Sequence, residues 1–576
     1  MSILRTGDGA GWSRRRFVQG LAAGGAVASA GAWHVASGRT LAGGPAPVLS
    51  GTEFRLAIGE SPVNFTGRER TAITVNGSLP APTLRFREGD TVTLRVSNAL
   101  ARAHTSLHWH GLVLPANMDG VPGLSFDGIA PGESYLYRFD VRQAGTYWYH
   151  SHSMFQEQAG LYGALVVEPR EAAPFRFDRE HVVLLSDWTD SDPAALFRRL
   201  KKMSSYDNYY QRTVGDFAAD ARRLGWSAAL ADRGAWGRMR MTPTDLSDVN
   251  AHTYTYLVNG TTPAGNWTGL VARGEKVLLR FINGSAMTYF DVRIPGLRMT
   301  VVAADGQYIH PVTVDEFRIA VAETFDVIVE PTGQEAWTIF AQDSARTGYA
   351  RGTLAVRAGL AAPVPPLDPR PILSMDDMGH GGMDHGAMDH GKMDHRGHDM
   401  PGMVTHPASE HGNPLVDMQT MNPAPKLDDP DIGLRGNGRT VLTYAAMRSL
   451  FEDPDGREPG RELELHLTGH MEKFAWSFNG QKFAGADPLR LAYGERLRVV
   501  LVNDTMMSHP IHLHGMWSDV EDAHGAFHLR KHTVDMPPGT RRSYRVRADA
   551  LGRWAYHCHL LYHMEAGMMR EVRVDE

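Results

Sequence analysis

The chain is predicted to be all-β, a series of three antiparallel sandwich domains. One segment occurs three times, and its strands alternate apolar with polar residues between Gly and Pro punctuation. The first copy has Asn76-Gly77, then Glu88-Gly89-Asp90 and a strand from Thr91 to Asn98. The second has Asn259-Gly260, then Arg273-Gly274-Glu275 and a strand to Asn283. The third has Asn479-Gly480, then Tyr493-Gly494-Glu495 and a strand to Asn503. Each copy is a turn followed by a Val-, Leu- and Arg-rich strand ending in Asn. A length of 576 residues is enough for several domains with sizeable cores.

The elements follow in chain order. Residues 1–42 read as a twin-arginine export signal: Ser13-Arg14-Arg15-Arg16-Phe17-Val18-Gln19 precedes a weakly apolar Gly/Ala run. That run is too short for a confident membrane span, and no later run is long enough. Domain 1 is expected over 48–172 and domain 2 over 178–360, with a partly helical, charge-rich insertion near 196–244 that reads as a brace. A linker follows over 361–438 and domain 3 over 439–576. Within the linker, Met383-Asp384-His385, Met388-Asp389-His390 and Met393-Asp394-His395 recur every five residues. Such a tract cannot build a core and is expected to be disordered. Its thioethers and imidazoles suit Cu(I) and Cu(II), so Met383, His385, Met388, His390, Met393 and His395 are candidate Cu(I) ligands holding labile ions.

The chemistry concentrates in four histidine motifs. They are His108-Trp109-His110, His150-Ser151-His152, His509-Pro510-Ile511-His512-Leu513-His514 and His557-Cys558-His559-Leu560-Leu561-Tyr562-His563, the last running on to Met568. On a strand, i and i+2 share a face and i+1 takes the other. Four paired motifs therefore offer eight histidines to a multi-metal cluster. Cys558, the only cysteine, points away from His557 and His559. His509 has opposite parity to His512 and His514, so it can join Cys558. Two histidines, a cysteine and a more distant methionine form the blue-copper ligand set, here His509, His563, Cys558 and Met568. The backbone would then join two metal centres through one residue. His150 to Leu161 aligns without a gap against His557 to Met568. Ser151, Gln156 and Leu161 stand where Cys558, His563 and Met568 do, so the first copy keeps the cluster histidines and lacks the mononuclear ligands. The middle copy has no histidine after Asn283 and reads as a spacer.

These four motifs resemble those of the multicopper oxidases across essentially the whole chain after the leader. The resemblance implies cupredoxin-like Greek-key domains and four copper ions, one type 1, one type 2 and a type 3 pair. It implies type 1 ligands His509, Cys558, His563 and axial Met568, and type 2 ligands His108 and His512. The type 3 pair would take His110, His150, His152, His514, His557 and His559. Electrons would pass from Cys558 through His557 and His559 to dioxygen. Asp119 is the candidate proton donor. Similar enzymes can carry an acid directly after the type 1 histidine, but that position is Met564 here and the acid is Glu565.

Composition narrows the rest. A net charge of −6 without a long basic run gives no support for nucleic-acid binding. No phosphate-loop or nucleophile-elbow motif is present. The Met/His tract, export signal and insertion together resemble the bacterial copper-resistance oxidases of the CopA type. The expected function is a periplasmic, non-membrane-spanning oxidase that converts Cu(I) to Cu(II) with dioxygen and confers copper tolerance, with a copper-resistance protein of the periplasm or outer membrane as a candidate partner. A laccase-like phenol oxidase and a copper-sequestering protein are the alternatives. Met447, Met471, Met506, Met507, Met516, Met536, Met564 and Met569 surround the third domain, mostly as packing residues.

Overall fold

The computed structural model describes residues 46–380 and 404–576. The leader motif and the Met383 to His395 repeats lie outside the described residues. Three pairs of sheets follow one another along the chain. In the first, a five-stranded sheet ending on His108–His110 shares a core with a four-stranded sheet built around Glu53–Val63 and Thr91–Asn98. The second and third pairs are each a six-stranded and a five-stranded sheet. Among the described residues, no helix is long and apolar enough to cross a membrane.

The threefold repeat has a physical basis. Asn76, Asn259 and Asn479 have φ of 51°, 48° and 52°, and the following glycines are also left-handed, as a tight turn with two positive φ values requires. Each Asn also fastens the opening strand of its copy: its Oδ1 accepts from Ala57, Leu184 or His466 N–H at 2.7–2.8 Å. In every copy this opening strand pairs parallel with the strand that ends in Asn: Glu53–Val63 with Thr91–Asn98, Arg179–Trp188 with Val277–Asn283, and Arg461–His470 with Arg496–Asn503.

The strand-ending Asn has a second use. Asn98 Nδ2 donates to Ala103 and Ile129 carbonyls, Asn283 Nδ2 to Thr288 and Ile319, and Asn503 Nδ2 to Met507 and Met536. Each Asn thus pins the loop after its strand, which in copies one and three leads into a histidine motif.

Helices occupy Pro193–Leu200, Val214–Leu224 and Trp226–Arg238. Asp192 caps the first by accepting from Ala194 and Ala195 N–H, and Thr213 with Asp216 forms a reciprocal capping box on the second. The first helix leans on the third sheet pair. Phe197 stacks at 6.1 Å on Tyr562, and the Lys201 ammonium donates to the Phe474 carbonyl at 2.6 Å. Met447, Met471, Met506, Met507, Met516 and Met536 are buried in the core.

Candidate metal centre

Strand register decides which way each ligand faces. His509–Leu513 runs antiparallel to Gly552–Cys558, with Ile511 opposite Cys558 and His512 opposite His557. Opposed residues share a face, so His512 and His557 lie together, and His509 shares the Cys558 side with Ile511. In the first unit His108 stands opposite His150 in the same kind of pair.

On the Cys558 side, Sγ lies 3.5 Å from His509 Nδ1 and 3.9 Å from His563 Nδ1, and the two Nδ1 atoms are 3.2 Å apart. Each imidazole is held from behind. His509 Nε2 donates to the Thr505 hydroxyl and His563 Nε2 to Asp248 Oδ2, both at 2.7 Å. Those bonds fix the tautomer that leaves both Nδ1 lone pairs facing the sulfur. Met568 is wholly buried, and its carbonyl accepts from Cys558 N–H at 3.1 Å. Trp476 stacks on His563 at 4.0 Å, closing the site on that side.

The other side gathers the eight remaining histidines of the motifs. His557 Nε2 lies 3.3 Å from His152 Nε2 and 3.1 Å from His514 Nε2. His108 stacks at 3.9 Å on His514, His110 at 3.8 Å on His512, and the His559 ring centres 4.8 Å from that of His110. The first and third sheet pairs therefore share one cluster. Asp119 bridges them: its carbonyl accepts from His108 Nδ1 and its Oδ2 from His514 Nδ1, both at 2.8 Å.

These residues fit metal ions. His108 Nε2, His110 Nδ1, His150 Nε2, His512 Nε2 and both His559 nitrogens are buried without a hydrogen-bond partner, a costly arrangement that a cation would relieve by taking the one lone pair each neutral ring offers. Burial pushes His110, His150, His152, His509, His512, His514, His559 and His563 well below the usual histidine range, and His557 to about 4. They are neutral at pH 7, as metal binding requires. Burial pushes the Cys558 thiol well up, so its thiolate needs a cation.

Several residues at the site lie outside the four histidine motifs. His532 Nδ1 is 3.1 Å from His110 Nε2, and the His532 carbonyl accepts from His512 Nδ1 at 2.6 Å. It is a lone histidine without an i+2 partner, so the sequence carried no signal for it. Asp248, which holds His563, lies in the segment before Thr255–Val258 and has no motif either. Glu157 does have one. Its Oε2 is 2.5 Å from His150 Nδ1, and it occupies the place of Met564 in the gapless alignment of the two histidine segments. Glu565, by contrast, is exposed. The middle sheet pair adds no motif histidine to either set, yet its Asp305 accepts from His532 and Thr533 N–H behind the cluster.

Three multicopper oxidase family models match the chain, over residues 57–172, 179–358 and 456–576. Copper resistance protein A of Pseudomonas syringae pv. tomato is 65% identical, covering 98% of this chain and 99% of that protein. Copper resistance protein A of Escherichia coli is 62% identical with the same coverage. Among solved structures, that of Fet3p, a multicopper oxidase that functions in iron import, aligns with TM-score 0.64 over 92% of this chain and 91% of that chain. At 20% identity it speaks for the fold alone.

Proposed function

The chain belongs to the multicopper oxidase family, an oxidoreductase with oxygen as acceptor, and on that premise we propose that it protects the cell by oxidising Cu(I) to Cu(II). Four cuprous ions, four protons and one dioxygen would give four cupric ions and two waters. The observation that carries this reading is the placement of Cys558 between His557 and His559, with a thiolate donor set on one face of the strand and an all-imidazole set on the other. Copper bound in these sets would supply one-electron chemistry on the Cys558 side and dioxygen reduction on the other.

The mononuclear site would use His509, Cys558, His563 and Met568. His108 and His512 would form the type 2 set, and His110, His150, His152, His514, His557 and His559 the type 3 set. Thr505 and Asp248 orient the two mononuclear imidazoles. Asp119 Oδ2 keeps the proton of His514 on Nδ1 and so leaves Nε2 as the donor. The same carboxylate is our candidate for moving protons to the cluster. A crevice of about 10 Å³ beside His108, His512 and His532 and an open cleft of about 1130 Å³ are both lined by Val113, Met516 and Trp517, and this is the side from which dioxygen and water would reach the cluster.

Copper as substrate is supported by the names of the relatives above and by the Met/His tract, whose soft donors would raise the local Cu(I) concentration. The twin-arginine sequence supports export to the periplasm. Oxygen uptake with Cu(I) and with a phenol, each with and without added Cu(II), separates this reading from a laccase-like one. Uptake driven by the phenol alone would retire it. Replacing Met383, Met388 and Met393 with Ser should raise KM for Cu(I) and leave phenol turnover unchanged. Identical Cu(I) kinetics would reduce the tract to a tether.

A further inference from the structure

Outside the copper donor sets, a second group of imidazoles and carboxylates meets where the stretch after the Met/His tract lies on the third sheet pair. His406 and Glu410 come from that stretch, His466 from strand Arg461–His470, and Asp504 directly follows strand Arg496–Asn503. His406 Nδ1 is 3.3 Å from both Asp504 Oδ2 and Glu410 Oε2. His466 Nδ1 is 2.7 Å from Asp504 Oδ2 and 3.9 Å from Glu410 Oε1. Both carboxylates are wholly buried, and Glu410 Oε1 has no hydrogen-bond partner.

Each of these side chains is held from behind. His406 Nε2 donates to the Thr420 carbonyl at 3.0 Å and His466 Nε2 to Glu464 Oε1 at 3.3 Å, so both Nδ1 atoms face the carboxylates. Asp504 Oδ1 accepts from Thr420 N–H at 2.7 Å, and Glu410 Oε2 from Gln419 Nε2 at 3.0 Å. The mononuclear site is built the same way, with His509 and His563 fixed through Nε2 and Nδ1 turned inward. Four donors bound at about 2.1 Å in a tetrahedron lie about 3.4 Å apart, within the span of the separations seen here.

We propose that His406, Glu410, His466 and Asp504 form a divalent-cation site for Zn(II) or Cu(II). Imidazole and carboxylate suit these ions, and with neither thioether nor thiolate among the four donors Cu(I) is disfavoured. Charge points the same way. Without an ion, two imidazole protons balance the two carboxylates; a divalent ion that displaces them keeps that balance, and a monovalent one would not. The bound ion fastens the stretch after the tract to strand Arg461–His470. The site holds whether the oxidised substrate is Cu(I) or a phenol.

Zinc is the probe, because it is told apart from copper already in the protein. In the full-length, copper-loaded chain, His385, His390, His395 and His398 are first replaced with Ser, so that the tract does not contribute. Titration against a colorimetric zinc chelator should then find a tight equivalent of Zn(II), and that zinc should raise Tm. His406→Gln and Glu410→Gln should each weaken binding at least on the order of tenfold, the scale on which even a bond behind a ligand acts, and should shrink the rise in Tm. Neither residue belongs to the copper sets, so an unchanged blue band and phenol turnover would establish that the variants fold. X-ray absorption at the zinc edge should show nitrogen and oxygen neighbours and no sulfur. Anomalous diffraction from zinc-soaked wild-type crystals, which needs no variant, should place the ion between His406 and His466. Zinc held with undiminished affinity by both variants, a protein that holds none, or an anomalous peak only elsewhere would overturn the proposal.

Discussion

At the scale of single residues, the site depends on what stands behind each ligand. Thr505 illustrates the economy of the arrangement: its hydroxyl donates to Asn503 Oδ1 at 2.9 Å and accepts from His509 Nε2. The Asn that ends the repeated strand thereby also orients His509, a proposed ligand, through two hydrogen bonds. Asp248 does the same for His563 from another part of the chain. Asp248→Ala should keep the blue absorption, because no donor atom is lost, and cut turnover on the order of 10- to 100-fold. Unaltered turnover in a stopped-flow assay would leave Asp248 with no part in positioning. Met568→Leu should also stay blue while the reduction potential rises, since a weak donor that favours the oxidised ion is removed. A potential that stays or falls on redox titration would remove Met568 from the ligand set.

At the scale of elements, the segment after the Met/His tract is tied to the third sheet pair by a buried ionic network. His466 Nδ1, on strand Arg461–His470, is 2.7 Å from Asp504 Oδ2, and His406 Nδ1 is 3.3 Å from both Asp504 and Glu410. Burial opposes charge on both imidazoles, but the carboxylates outweigh it. Asp504 and Glu410 push His406 up to about 10, and Asp504 and Glu464 push His466 up to about 9. The unfolded value is about 6.5, so the folded state binds these protons more tightly. Their stabilisation is complete below about pH 6.5, falls as pH rises above it, and is gone once pH passes the folded values. His466→Gln should therefore cost about 3 kcal/mol near pH 6.5, and the wild-type advantage in Tm should shrink towards pH 10. A constant difference across that range would assign the loss to packing.

The same scale shows what the sequence could and could not reveal. Strand parity placed Cys558 opposite its neighbours and His509 apart from His512, because a period of two leaves no freedom within a strand. The repeat fixed the turns at Asn76, Asn259 and Asn479 for the same local reason. His532, Asp248 and Asp305 were hidden because their roles come from sheets meeting, not from any pattern along one strand. Glu157 was legible in the alignment of the two histidine segments, where an acid stands opposite Met564.

At the scale of the whole molecule, the first and third sheet pairs meet at a shared set of imidazoles, several of them buried with unpartnered nitrogens. Metal ions bound there favour the folded state alone, so they stabilise it by mass action. Removing copper with a chelator should lower Tm, and restoring it should return both Tm and colour. A Tm indifferent to copper would mean that the cluster does not join the two units. The central claim is that one residue separates two independent donor sets, and Cys558→Ser tests it directly through visible absorption and copper content. The blue band near 600 nm, roughly where thiolate–copper sites absorb, should vanish while the histidine-bound copper stays. A blue band that survives, or a protein that loses all of its copper, would contradict the account.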